Sequence, residues 1–287
     1  MKLVRYGQPG QEKPGMIDVD GQLRDLSGIV DDLSGATLGN ASFARLAALD
    51  PASLPLVAGQ PRFGTPVAGI GKMICVGMNY ADHAAETGAP VPEQPVLFMK
   101  ATTAIGGAND TVVIPRDSVK TDWEVELGVI IGEVARDVSL DDAMSHVAGY
   151  AVINDLSERE FQLEHGGQWV KGKSCDTFGP IGPWLVTRDE VADPQNLSLW
   201  LEVNGHRYQN GNTRTMVYGV AYLVSYISRY MTLMPGDVIS TGTPAGVGLG
   251  LKPPTYLKPG DVIELGIEGL GRQRQDVVAH PGDRRAW

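Results

Sequence analysis

Residues 121–128 read TDWEVELG and run on into VIIG through residue 132. In an extended strand alternate side chains share a face, about 7 Å apart along the chain. Glu124 and Glu126 therefore point one way, and Val125, Leu127 and Val129 point the other. The valine face belongs in a core. The glutamate face is either a solvated edge or an enclosed pair of like charges. If it is enclosed, burial and mutual repulsion both raise the carboxyl pKa values, so the pair calls for a cation. A hard divalent ion with oxygen ligands meets that need.

Working outward, short apolar runs broken by glycine and proline recur along the chain: MICVGMNY (73–80), PVLFMK (95–100), VAGYAVINDLS (147–157) and LSLWLEVNG (197–205). Each reads as a strand. ADHAAETG (81–88) has the composition of a short helix stopped by Gly88, and MVYGVAYLVSYISRYM (216–231) reads as a second helix. MPGDVISTGTP (234–244) and KPGDVIELGIEG (258–269) repeat one turn-plus-strand solution. Residues 157–186 are polar, charged and rich in turns. The 36 glycines and 19 prolines spread over 287 residues also argue against a helical bundle. A β-rich α+β fold follows, with residues 1–65 as a small β-rich domain ahead of a larger one.

Composition narrows the function. A net charge of −10 without clustered Lys and Arg makes nucleic acid an unsuitable partner. No apolar run approaches the roughly 18 residues a membrane span needs. Cys75 and Cys175 fit neither a disulfide framework nor zinc spacing, and the N-terminus lacks a signal-peptide run, so a cytoplasmic location is expected. GTPAGVGLG (242–250) has glycines at dinucleotide-like spacing, yet it runs into LKPP, where no helix can open.

Further polar residues fall where a site could use them. Asp155 ends the apolar run YAVIND, either as an ordinary strand-to-turn Asp or as a third carboxylate. Lys171 and Lys173 of KGKS could balance the charge. His83 and Glu86, three apart on the short helix, form either a surface pair or an imidazole oriented by a carboxylate.

Taken in order, CVGMNYADHAAE, PVLFMK, DWEVELGVIIG, GYAVINDLSERE, KGKS followed by DTFGPIGPW, LWLEVNG and STGTPAGVG closely resemble the fumarylacetoacetate hydrolase family over about residues 70–270. Within it the chain looks most like the bacterial 2,4-diketo-3-deoxy-sugar-acid (fuconate or rhamnonate) hydrolases. The resemblance implies curved, mixed β-sheets rolled around a central site, a catalytic domain over 70–287 and a homodimer. It places Glu124, Glu126 and Asp155 on the metal ligands, with Mg2+ the usual ion and Mn2+ a substitute. It makes Lys173 the active-site lysine and puts His83 and Glu86 on a lid as the catalytic dyad. Arg159, Gln162 and Thr243 fall where relatives meet the substrate. SERE stands where relatives often have ARD, which changes the surroundings of Arg159 and Gln162. The implied activity is cleavage of the C3–C4 bond of a 2,4-dioxo acid to pyruvate and a short acid such as lactate. Oxaloacetate decarboxylation and 2-oxo-enoate isomerisation or hydration are alternatives in the same site. A binding protein without activity is the alternative from a different class.

Overall fold

A computed structural model describes residues 1–88 and 90–283. Residues 284–287, the end of the predicted catalytic domain, lie outside the described residues. The first third of the chain gives β1 (Lys2–Tyr6), β2 (Lys13–Ile17), β3 (Leu23–Asp25), α1 (Asn40–Ala47), β4 (Met73–Gly77), α2 (Ala81–Thr87) and β5 (Val96–Lys100). The middle gives β6 (Ile105–Gly107), β7 (Val112–Ile114), β8 (Thr121–Asp122), β9 (Val125–Ile131), β10 (Val147–Asn154), β11 (Ser157–Glu158), α3 (Arg159–Leu163), α4 (Val170–Lys173) and β12 (Gly179–Thr187). The last third gives β13 (Ser198–Val203), β14 (His206–Asn212), α5 (Val220–Ser228), β15 (Val238–Ser240), β16 (Val262–Ile267) and β17 (Gly271–Ala279).

One large mixed sheet runs in the order β3-β2-β1-β12-β10-β9-β15-β4-β5, with β6 paired to β12. A second runs β14-β13-β16-β17-β7. β9 lies well inside the first sheet and is covered on both faces, which is why its apolar run is continuous beyond Gly128. Val125, Leu127, Val129 and Ile131 pack with Leu199, Leu201, Ile263 and Leu265 of the second sheet. Ile130, on the opposite face, packs with Leu3, Met16, Leu26 and Ile153. Full burial of each such side chain contributes about 1.5–3 kcal/mol. The N-terminal hairpin thus lengthens the large sheet through β1 against β12 and adds side chains to its second core.

The two PGDVI units do share one solution. Gly236 and Gly260 take φ near +94° and +95°, which favours glycine, and Asp237 and Asp261 each accept a 2.7 Å bond from the backbone N–H three residues earlier. The predicted helix over 216–231 is shorter, starting only after Gly219, whose backbone is extended (φ −74°, ψ 167°), while Val217 and Tyr218 before it donate their N–H groups to the backbone and side-chain oxygens of Asn79. The segment 157–186, read as turn-rich, contains the two short helices α3 and α4, which deliver side chains to the centre of the molecule, and from Gly179 it is the strand β12, paired with β10 and β1.

Candidate active site

The strand period places Glu124 and Glu126 together, and sheet register supplies their third partner. β9 and β10 are antiparallel, with Glu126 opposite Ile153 and Val125 opposite Asn154. The same register continues past the end of the ladder to Glu124 and Asp155, where the Asp155 N–H donates to the Glu124 carbonyl at 2.9 Å. Asp155 is thereby the direct cross-strand neighbour of Glu124 and the diagonal neighbour of Glu126. Each carboxylate offers an oxygen within 4.8 Å of the others. Their exposures, 5% for Glu124, 2% for Glu126 and 0% for Asp155, exclude a solvated edge.

Buried cations hold two of the three. Lys173 Nζ, from α4, donates to Glu124 Oε2 at 2.7 Å and to Asp155 Oδ2 at 2.9 Å. Lys100, the last residue of β5, pairs with Asp155 Oδ1 and donates to the Leu156 carbonyl at 2.9 Å. Arg159, from α3, donates through Nε to Asp122 at 2.8 Å, through Nη2 to Glu124 Oε1 at 2.7 Å and through Nη1 to Gln162 at 3.0 Å. Burial alone would push the Glu124 carboxyl up, but Lys173 and Arg159 outweigh it and hold the group well below the usual carboxylate range. The same carboxylates keep Lys173 protonated against its own burial.

Glu126 differs. It accepts from the Ser240 hydroxyl and from the Gly242 N–H at 2.9 Å, both neutral donors. Burial first, then Asp155 and Glu124, push its carboxyl far above the ordinary value. Four buried carboxylates, those of Asp122, Glu124, Glu126 and Asp155, face three buried cations, Lys100, Lys173 and Arg159. With all four ionised this cluster is one positive charge short of balance, and the oxygen-only trio of Glu124, Glu126 and Asp155 within it fits a hard divalent ion such as Mg2+ or Mn2+.

Above this floor lies a cavity of about 280 Å3, lined also by His83, Gln162, Thr243 and a set of apolar side chains. His83 is buried on α2, with Nδ1 at 3.6 Å from Glu86 Oε2. Glu86 accepts from the Gly246 N–H with both carboxylate oxygens, at 2.9 and 3.0 Å. Thr243 lines the cavity but spends its hydroxyl on the scaffold: it donates to the Val125 carbonyl at 2.9 Å and accepts from Gln209 at 2.8 Å. Of the two KGKS lysines, Lys171 is exposed and bonds the His165 carbonyl; Lys173 is the buried one.

Lys171 apart, every residue singled out for the site thus lies in or beside one cavity, Glu86 and Asp155 from its second row. Lys100, Asp122, Ser240 and Gly242 were not singled out. Two of them carried a signal of the same period: Asp122 precedes Glu124 by two, and Lys100 follows Phe98, a cavity residue, by two.

Residues 72–278 match the family model described as fumarylacetoacetate (FAA) hydrolase C-terminal. A relative from Burkholderia multivorans, whose name suggests a hydrolase and gives no substrate, is 66% identical over 276 residues, covering 96% of this chain and 98% of its own. Among solved structures, a fumarylacetoacetate hydrolase from Exiguobacterium antarcticum is 37% identical with a TM-score of 0.84, over 98% of this chain and all of the other. A maleylpyruvate hydrolase from Sphingobium sp. SYK-6, solved with manganese(II) and pyruvate, is 31% identical with a TM-score of 0.80, over 97% and 99% of the two chains. With the match covering most of the chain and the fold shared end to end, the protein belongs to the fumarylacetoacetate hydrolase family.

Proposed function

We propose that this chain is a Mg2+-dependent hydrolase, able to use Mn2+, that cleaves the C3–C4 bond of a 2,4-dioxo acid to pyruvate and a short carboxylic acid. The observation that carries the reading is the meeting, in one cavity, of a carboxylate trio, a buried lysine bridging two of its members, and a histidine backed by a carboxylate. A divalent ion held by Glu124, Glu126 and Asp155 would supply Lewis-acid polarisation of the substrate's C2 oxygen.

The chain's own residues do the rest. His83, oriented by Glu86, takes a proton from water, whose oxygen adds to the C4 carbonyl. Collapse breaks the C3–C4 bond and sends its electron pair into a pyruvate enolate. Lys173, fixed by Glu124 and Asp155, stabilises the charge developing on the enolate oxygen. A proton returned to C3 completes pyruvate, and the C4 fragment leaves as the carboxylic acid. Gln162, whose carbonyl oxygen accepts from Arg159, has its amide nitrogen to donate to a substrate oxygen. Three Arg159 nitrogens are already engaged, so this residue chiefly positions Glu124 and reaches substrate with a remaining N–H. Thr243 holds the carboxylate end of the cavity in shape.

The catalytic domain would span residues 70–287, with residues 1–65 as the small N-terminal domain. By family resemblance the protein works as a homodimer, and its two free cysteines suit the cytoplasm.

The deciding experiment incubates purified protein and Mg2+ with acylpyruvates, oxaloacetate and a 2-oxo-enoate. Equimolar pyruvate and carboxylic acid from an acylpyruvate is the expected result. Activity confined to oxaloacetate, or conversion of the enoate without pyruvate release, would replace hydrolysis with decarboxylation or isomerisation.

A further inference from the structure

The cavity has a polar floor and an aromatic side, and the two are joined in a measurable succession. Lys173 Nζ sits 2.7 Å from Glu124 Oε2 and 5.1 Å from the centre of the Phe98 ring. Phe98 in turn meets Trp169 edge to face, with ring centres 5.3 Å apart and planes at 64°. A molecule whose carboxylate end is held at the floor and which extends along this side passes from carboxylates to a phenyl ring and then to an indole.

The indole position is built in. Trp169 follows the loop EHGGQ and precedes α4, and its ring lies against the backbone of Gly77 at the end of β4. A Cβ on Gly77 would fall 2.4 Å from Trp169 Cζ3, a separation no side chain tolerates. Glycine at this position is what admits the indole to the cavity. Met78, Leu163 and Leu249 complete the apolar side. His165 and Gln168 of the same loop are exposed and do not line the cavity.

Polar groups available beyond the floor are few. Thr243 is committed to Val125 and Gln209, and Arg159, bonded to Asp122, Glu124 and Gln162, keeps its remaining N–H groups beside Glu124 at the floor. In the reaction proposed above, His83 and Gln162 face the reacting atoms. Hydroxyl groups on the rest of the substrate would be buried against rings and aliphatic side chains, which penalises them.

We infer that the substituent carried on C4 is apolar, an alkyl or aryl group seated on Phe98 and Trp169, and not the hydroxylated chain of a deoxy sugar acid, a hydroxyethyl group where the product is lactate. This rests on the acylpyruvate reading and specifies its substrate class. Trp169 is the specificity-determining residue, and Gly77 positions it.

The test measures kcat/KM with Mg2+ for straight-chain acylpyruvates from acetyl to hexanoyl, for benzoylpyruvate, and for a 2,4-dioxo acid with a hydroxylated acyl chain. Values should rise about fourfold per added methylene until the side is filled. The hydroxylated compound should fall at least tenfold below the alkyl compound of equal length. Trp169→Ala should cut the chain-length slope to less than half, Trp169→Phe should restore most of it, and Gly77→Ala should behave like Trp169→Ala by displacing the indole. Preference for the hydroxylated compound, or a slope unaltered in both Trp169→Ala and Gly77→Ala, overturns the inference. Should no acylpyruvate be cleaved, the functional reading fails, and calorimetric affinities of 2-oxobutanoate through 2-oxooctanoate for the Mg2+-loaded protein still decide the apolar side: a rise with length that Trp169→Ala flattens sustains it, and a flat series ends it.

Discussion

The carboxylate floor and the helix above it are held in different ways. Floor positions are fixed by the register of two central strands and cross-linked by Lys100, Lys173 and Arg159, all buried. α2 has seven residues, too few to be stable alone, and ends at Gly88 with φ +72°. It is tied at its base by Asn79, which donates to the Tyr218 and Thr241 carbonyls, and at its far end by Glu86 on the Gly246 N–H. Losing one floor residue should therefore damage folding or metal binding, whereas losing one α2 residue should damage turnover alone. A part that must admit substrate and release product is drawn from the weakly held end of a structure.

That contrast can be broken most severely at Lys173. Lys173→Met leaves Glu124 and Asp155 buried without their shared cation, and urea denaturation should show a loss of about 3–5 kcal/mol. A parental midpoint would mean that the floor does not depend on the lysine. Glu126→Gln sharpens the picture from within the floor. Its acceptor role toward Ser240 and Gly242 survives in the amide, so stability should stay within about 1 kcal/mol of the parent, since a buried amide escapes the cost of a buried charge. Its affinity for Mn2+, titrated calorimetrically, should fall by about 100-fold, a ligand costing at least as much as its outer supports do.

On the helix side, His83→Ala should lower kcat about 100-fold with Mn2+ affinity and denaturation midpoint unchanged. A shift in either of those would place His83 in the floor instead. The smallest effect is expected from Glu86→Gln, which retains one acceptor oxygen for Gly246 but loses the charge: kcat should fall about tenfold, measured at saturating substrate. An equal loss in metal affinity would show that helix and floor are one unit.

Much of the floor was legible in TDWEVELG because the period of two belongs to any extended backbone. It put two carboxylates on one face and the valines on the other, and YAVIND delivered Asp155 to a strand end. The lysine was narrowed to two residues in KGKS by residue type and to Lys173 by resemblance; Lys173 is the buried one of the two. Lys100 was passed over because a lysine closing the apolar strand VLFMK looks like an ordinary solvated strand end. Its burial comes from Asp155 and Leu156 on a distant part of the chain. Ser240 and Gly242 were invisible for the same reason, since they reach Glu126 only through the pairing of β15 with β9. The helix over 216–231 was overestimated at its start, where the backbone of Gly219 is extended and the residues before it bond to Asn79, a contact 139 residues away.

By itself the sequence determined which face of β9 carries charge, which residue types stand ready for acid, base and metal chemistry, and the family they compose. These follow from local backbone periodicity and from motifs read in order. Tertiary structure decided that Asp155 sits opposite Glu124, that three cations from β5, α3 and α4 converge on the trio, and that Trp169 rests against Gly77. Register and convergence depend on how whole sheets pack, and a one-residue slip between β9 and β10 would turn Asp155 away from the glutamates without changing a letter of the sequence.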